Sequence, residues 1–136
     1  MGIIFDTSAI IAIERGHEFL DALITGRAEE PFGISVVTAA ELLHGVERAD
    51  TEERKLRRQA FVERVIESFP VFPFDLMVGR IYARIWVAIA RKGWTVGAHN
   101  LIIAATAISL DYSVATVNIR DFEKIPGVKM EKLQSP

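Results

Sequence analysis

The stretch that decides the fold is "GIIFDTSAIIAIE", residues 2–14. Ile3, Ile4 and Phe5 form an apolar run short enough to be a buried strand rather than a helix. Asp6 follows at once, and Thr7 or Ser8 is placed to cap a helix carrying Ile10, Ile11 and Ile13. A strand passing into a helix across a single acidic residue opens a parallel α/β unit, and the rest of the chain repeats that alternation.

A second helical pattern runs from about His17 to Ile24 and stops near Gly26. "FGISVV" (32–37) reads as a second strand, and "TAAELLHGV" (38–46) opens a helix. "DTEERKLRRQAFVERVIESF" (50–69) is a long amphipathic helix with Leu56, Phe61, Val65 and Ile66 as its apolar contacts. "VFPF" (71–74) is a third strand, which Pro73 keeps short or near an edge. The span from about Asp75 to Lys92 is helical, ending in "ARKG" with cations in its last turn and Gly93 beyond. In "TVGAHNLIIAATAISL" (95–110) the Ala-rich helix is expected to begin just after Asn100, with Asn100 as its N-cap. The strand "SVATV" (113–117), a loop "NIRDFEKIPG" (118–127) and a last strand "VKMEKL" (128–133) close the chain. With no repeat, low-complexity tract or internal linker, residues 1–136 form one α/β domain with a mainly parallel sheet.

Composition narrows the function classes. Half the residues are hydrophobic and a quarter charged, ordinary for a soluble globular chain. No apolar run is long enough to span a bilayer, because Glu14 and Arg15 interrupt "SAIIAI". "MGIIFDTSA" has no basic leader, so export is not expected, and Asp6 stands where a myristoylation signal needs Ser or Thr. The absence of cysteine excludes a disulfide framework and suits a cytoplasmic protein. The net charge of −2 means that a nucleic-acid partner must be met by a local basic surface.

Ligands of an open parallel sheet bind beyond the carboxyl ends of its strands. Asp6 directly follows the first strand, Glu41 lies in the expected first turn after the second, and Asp121 comes shortly after "SVATV". Asp111 precedes a strand and belongs to the opposite edge. Each acid has a plain structural alternative: Asp6 as a turn residue, Glu41 in a capping box with Thr38, Asp121 as a loop residue, Asp75 as the N-cap of its helix. Carboxylates converging on one rim repel, and a divalent metal is the usual remedy. Mg²⁺ favours a few carboxylates, retained waters and substrate phosphate oxygens. Arg54, Lys55, Arg57 and Arg58 read first as a solvated helix face, whereas Arg120, beside Asp121, is the expected phosphate contact. His44 and His99 lack zinc-site spacing, and Trp86 and Trp94 read as core or interface residues rather than base-stacking platforms.

Four segments, "IIFDTSAII", "SVVTAAELLHGV", "GAHNLIIAATA" and "ATVNIRDFEKIPGV", resemble in order the signature segments of PIN-domain ribonucleases, specifically the VapC-type toxins of toxin–antitoxin pairs. The resemblance covers essentially the whole chain and implies a PIN-like three-layer α/β/α domain with an acidic pocket for Mg²⁺ or Mn²⁺. It assigns catalytic acids to Asp6, Glu41 and Asp121, metal binding to Asp6, Asp121 and the position of Asn100, and supporting roles to Thr7, Thr116 and Asn118. It also implies a homodimer, a small VapB-type antitoxin whose C-terminal arm covers the groove, and RNA cleavage leaving 5′-phosphate and 3′-hydroxyl ends.

The family carries an acid, usually aspartate, where this chain has Asn100. Asn keeps the shape of Asp but loses a charge and a ligand oxygen, and its NH₂ is a donor that a cation repels. Natural divergence and deliberate silencing of a toxic enzyme both account for it; with the other signature positions intact, the second is our reading. In the active parent, metal held by Asp6 and an acid at position 100 polarises water for in-line attack on a phosphodiester, with Glu41 and Asp121 holding further metal or waters. The alternative is a non-catalytic, degenerate PIN module that binds RNA or antitoxin. An aspartyl phosphotransferase is excluded, because it needs Asp two positions after Asp6 and the residue is Ser8.

Overall fold

In the computed structural model, residues 2–16 and 29–132 are described; the helix expected over His17–Ile24 lies outside them. Five strands, β1 (Ile3–Phe5), β2 (Phe32–Ser35), β3 (Val71–Phe72), β4 (Ser113–Thr116) and β5 (Lys129–Lys132), form one sheet in the order β3-β2-β1-β4-β5. Every pairing is parallel, so the sheet is wholly rather than mainly parallel. Among the described residues the connections include six helices: α1 (Thr7–Glu14), α2 (Val36–Glu47), α3 (Glu52–Ser68), α4 (Leu76–Arg91), α5 (Ala98–Leu110) and α6 (Ile119–Glu123).

The period of two along a strand divides the core. Ile3 and Phe5 of β1, with Ile34 and Ala115, face Ala9, Ile10, Leu42, Val46, Val62 and Val65 of α1, α2 and α3. Ile4 and Val114 point the other way, into Val78, Ile81, Ile85, Ile89, Leu101 and Ile103 of α4 and α5. Helices on both faces of a parallel sheet give the three layers expected.

Local chemistry sets the helix starts. Asp6, not Thr7 or Ser8, caps α1 by accepting from the Ala9 N–H. Ser35 caps α2, so the second strand stops at Ser35 and the helix begins at Val36. Thr51 caps α3, and Asp75 caps α4 as its sequence position suggested. Leu56, expected to pack inward from α3, is 65% exposed, while Val65 is buried and Phe61 and Ile66 are partly buried. The segment taken as a loop after β4 contains the short helix α6. Trp86 and Trp94 are exposed and are not core residues. Among the described residues no helix is long and apolar enough to cross a membrane.

Gly33 marks a close approach to both a ring and a backbone carbonyl. A Cβ on Gly33, in β2, would meet the Phe72 ring at 2.5 Å and the Pro70 carbonyl oxygen at 2.7 Å. A Cβ on Gly45, in α2, would meet nothing within 4 Å. In urea denaturation Gly33→Ala is expected to destabilise by about 1–3 kcal/mol through overpacking. Gly45→Ala should instead stabilise by about 0.5–1 kcal/mol, the usual gain for a helical position.

Candidate active site

The strand order reverses between β1 and β4, and a crevice opens there at the carboxyl ends of the strands. Asp6 stands at the end of β1 and is 3% exposed. A carboxylate so buried must be satisfied by donors. Its Oδ1 accepts from Ser8 Oγ at 2.7 Å and from the Ala9 N–H at 2.9 Å. Its Oδ2 accepts from Thr116 Oγ1, at the end of β4, at 2.5 Å. The two hydroxyls are held in turn: Ser8 Oγ accepts from the Val117 N–H at 3.1 Å, and Thr116 Oγ1 from the Asn118 N–H at 2.8 Å. Asp6 thus ties the β1–α1 turn to the chain leaving β4.

Burial pushes the Asp6 carboxyl above its ordinary value; the bonds from Thr116, Ser8 and Ala9 oppose that, and the nearby charge of Glu41 adds to it. Glu41 comes from α2, where Thr7 Oγ1 lies 2.7 Å from its Oε1 and 3.2 Å from Thr38 Oγ1. The hydroxyl has one proton, and the shorter contact to a carboxylate claims it. Glu41 Oε2 is 3.4 Å from His99 Nδ1, at the start of α5. Asp121, on α6, accepts at Oδ2 from two side-chain amides, Asn100 Nδ2 and Asn118 Nδ2, each at 3.0 Å.

Two expectations about helix position are corrected. Glu41 is not in the first turn of α2, and no Thr38–Glu41 capping box exists, because the helix starts earlier and Ser35 caps it. Thr38 is fully buried. Asn100 is not an N-cap: α5 begins at Ala98 after Gly97, which makes no side-chain cap bond. Freed from capping, the Asn100 amide makes a tertiary bond to Asp121. Thr7 donates to Glu41, Thr116 to Asp6 and Asn118 to Asp121. Sequence reading missed Ser8, which carries one of the Asp6 bonds; the signal available was a hydroxyl two residues after a buried acid. It also missed His99 against Glu41, for which spacing offers no signal.

The oxygen donors of Asp6, Glu41 and Asp121 are of the type that suits a hard divalent cation. The remaining corner does not suit it. Asn100 presents an NH₂ to Asp121, and among the described residues no three Asp, Glu or His side chains form a ready cage.

A wholly parallel sheet with acids gathered at its switch point is the layout of the PIN domain, whose family profile matches residues 3–128. The chain belongs to this family, among its VapC ribonucleases. It is 37% identical to Ribonuclease VapC1 of Rickettsia felis, over 99% of this chain and 98% of that protein. It is 38% identical to the tRNA(fMet)-specific endonuclease VapC of Salmonella typhimurium, over 72% of each. The crystal structure of DNA-bound VapBC from Salmonella typhimurium superposes with a TM-score of 0.84 at 32% identity, covering 97% of this chain and 98% of that one. Ribonucleases of this family depend in general on a divalent metal.

The raised Asp6 carboxyl has a sign that can be checked. A value higher in the folded state than in the unfolded chain means that folding favours the proton. The stability this contributes is present below the unfolded value and is lost as pH rises through the folded one. In EDTA, Asp6→Asn should therefore melt above the unsubstituted chain at pH 7, with the advantage shrinking toward pH 4.

Proposed function

We propose that this chain is the toxin of a type II toxin–antitoxin pair, built to cleave RNA endonucleolytically with Mg²⁺ or Mn²⁺, and held nearly inactive by Asn100. The observation that carries this is the Asn100 Nδ2 bond to Asp121 Oδ2. It places a donor where the resemblance expects an acid. With Asp at that position two carboxylates would confront one another at about the distance now bridged by a hydrogen bond, and a cation would be required between them.

The residues divide the work. Asp6 and Asp121, with an acid at position 100, hold the metal; when bound, Mg²⁺ or Mn²⁺ supplies Lewis-acid polarisation of the phosphodiester and of the attacking water. Thr116, Ser8 and the Ala9 N–H fix both oxygens of Asp6, so that carboxylate is oriented before substrate arrives. Asn118 orients Asp121 in the same way. Glu41, aligned by Thr7, faces the open side of the site, where it can order water.

Relatives of known structure are VapBC complexes, which supports an antitoxin partner here. A basic side chain of such a partner entering the acidic rim would replace the missing cation charge. A homodimer is supported by the exposed large apolar side chains of Leu76, Met77, Trp86 and Val87 on α4, with Phe74 just before it, in a cysteine-free chain suited to the cytoplasm. The second reading, a non-catalytic binding module, is favoured by the same Asn100–Asp121 bond, which satisfies Asp121 without a metal.

The test is cleavage of a mixed RNA pool with Mg²⁺ or Mn²⁺, with this chain and its Asn100→Asp variant stripped of antitoxin. EDTA, and Asp6→Ala added to that variant, serve as controls. Asn100→Asp should raise cleavage by about 100-fold or more, since even a partner that only orients a metal ligand is worth about 10–100-fold. It should also melt lower than this chain without metal and gain more on adding it. If Asn100→Asp binds metal but does not cut, the binding module takes its place.

A further inference from the structure

An open groove of about 780 Å³ starts at Thr7, Glu41 and His99 and runs between α2 and α3, past His44 and Gly45, to Arg48, Arg54 and Arg58. Two adjoining hollows extend it. One shares Thr7, Glu41 and Arg58 with the groove and adds Arg15; the other shares Arg54 and Arg58 and adds Arg57 and Arg64. Among the described residues the trough carries six arginines, against which Glu14 and Asp50 stand once Glu41 is counted with the acidic centre. Asp50 engages Arg54 at 2.8 Å, and Arg58 donates to the Gly45 carbonyl at 3.0 Å. Among the described residues the side chains of Arg48, Arg57 and Arg64 make no hydrogen bond or ion pair. Arg120 lines none of these three hollows.

In a chain of net charge −2, such a concentration of one cation is a local departure that calls for polyanion. All six are arginines, whose planar fork suits phosphate better than the point charge of lysine. From Arg54 to Arg64 is ten residues, about 15 Å of helix at about 1.5 Å per residue, so the cations are spread along a path rather than gathered around one anion. The path ends at Glu41, whose hydroxyl partner Thr7 lies one residue from Asp6. We infer that this trough is the track for the RNA strand on one side of the scissile bond, with Arg48, Arg57 and Arg64 holding successive backbone phosphates and α3, rather than Arg120, fixing how the substrate lies. This rests on the ribonuclease reading for the word "scissile", but the binding track itself does not require cleavage. It requires a substrate that extends well beyond the cut bond and reads backbone charge, not base identity.

Binding of a fluorescently labelled single-stranded RNA to this chain, whose Asn100 is expected to prevent turnover, tests the track without relying on catalysis. Fluorescence anisotropy over a salt series compares the chain with Arg48→Gln, Arg57→Gln and the pair together, each checked for an unchanged melt. Each substitution should weaken binding several-fold and lower the log–log salt slope by roughly one, because each phosphate contact releases about one counterion. In the Asn100→Asp background the same substitutions should raise KM for a long RNA by more than they lower kcat, and raise it less for an oligonucleotide too short to reach α3. Unchanged affinity and salt slope in the double variant overturn the proposal, as does RNA binding lost only in Arg120→Gln. Failure to bind RNA, with tight, arginine-dependent binding of polyglutamate, assigns the trough to an acidic protein segment and overturns it too. If arginine-dependent RNA binding persists while Asn100→Asp never cuts, the track stands and the ribonuclease reading falls.

Discussion

The structure depends on keeping one carboxylate buried at the end of its central strand. Asp6 is at once the cap of α1, the partner of Thr116 at the end of β4, and the innermost acid of the rim. A carboxylate at that depth is tolerable only if several donors meet it, and three do. Those donors come from two places far apart in sequence, so satisfying the charge also fixes how β1 and β4 present their ends. Fold and site are therefore the same interaction seen from two sides. A residual cost of burial remains, and it raises the carboxyl above its ordinary value.

Much of this was legible in the sequence because it follows from periodicity and order. Short apolar runs alternating with helical patterns give a parallel sheet, and in a parallel sheet the residues just after each strand share an edge. That argument placed Asp6, Glu41 and Asp121 together and Asp111 opposite, where Asp111 closes α5 in a left-handed conformation and pairs with Lys129 at 2.9 Å. Helix starts were less legible, because several capping residues compete within a few positions. Ser35 took the role that Thr38 also fitted, and Gly97, with no side chain to contribute, begins α5 three residues before Asn100. Composition alone cannot choose among caps; the choice is made by which backbone the tertiary structure leaves in extended conformation.

What the sequence could not show is which faces of the helices meet. Arg54, Arg57 and Arg58 look like any solvated run until α3 is laid beside α2, whereupon they line the same hollows as Arg48 and Arg15. The resulting charge layout is polar in the directional sense: acids at the mouth of the sheet, arginines leading away from it. A polyanion is drawn along the trough and meets repulsion at its end unless a cation is there to receive it. Binding and chemistry are thereby separated in space and are expected to respond differently to salt and to metal.

The Asn100–Asp121 bond carries one further consequence, for how the protein can change over generations. Asn and Asp have almost the same volume, and the Asn100 side chain neither caps its helix nor fills the core, so exchanging one for the other changes the charge of the rim rather than its packing. Their codons differ only in the first base. On the function proposed above, a rim closed by its own hydrogen bond and a rim that would need a metal lie a single base change apart. The reverse step is equally short whether the Asn arose by design or by divergence, and its first cost is a demand for a cation rather than a change of shape.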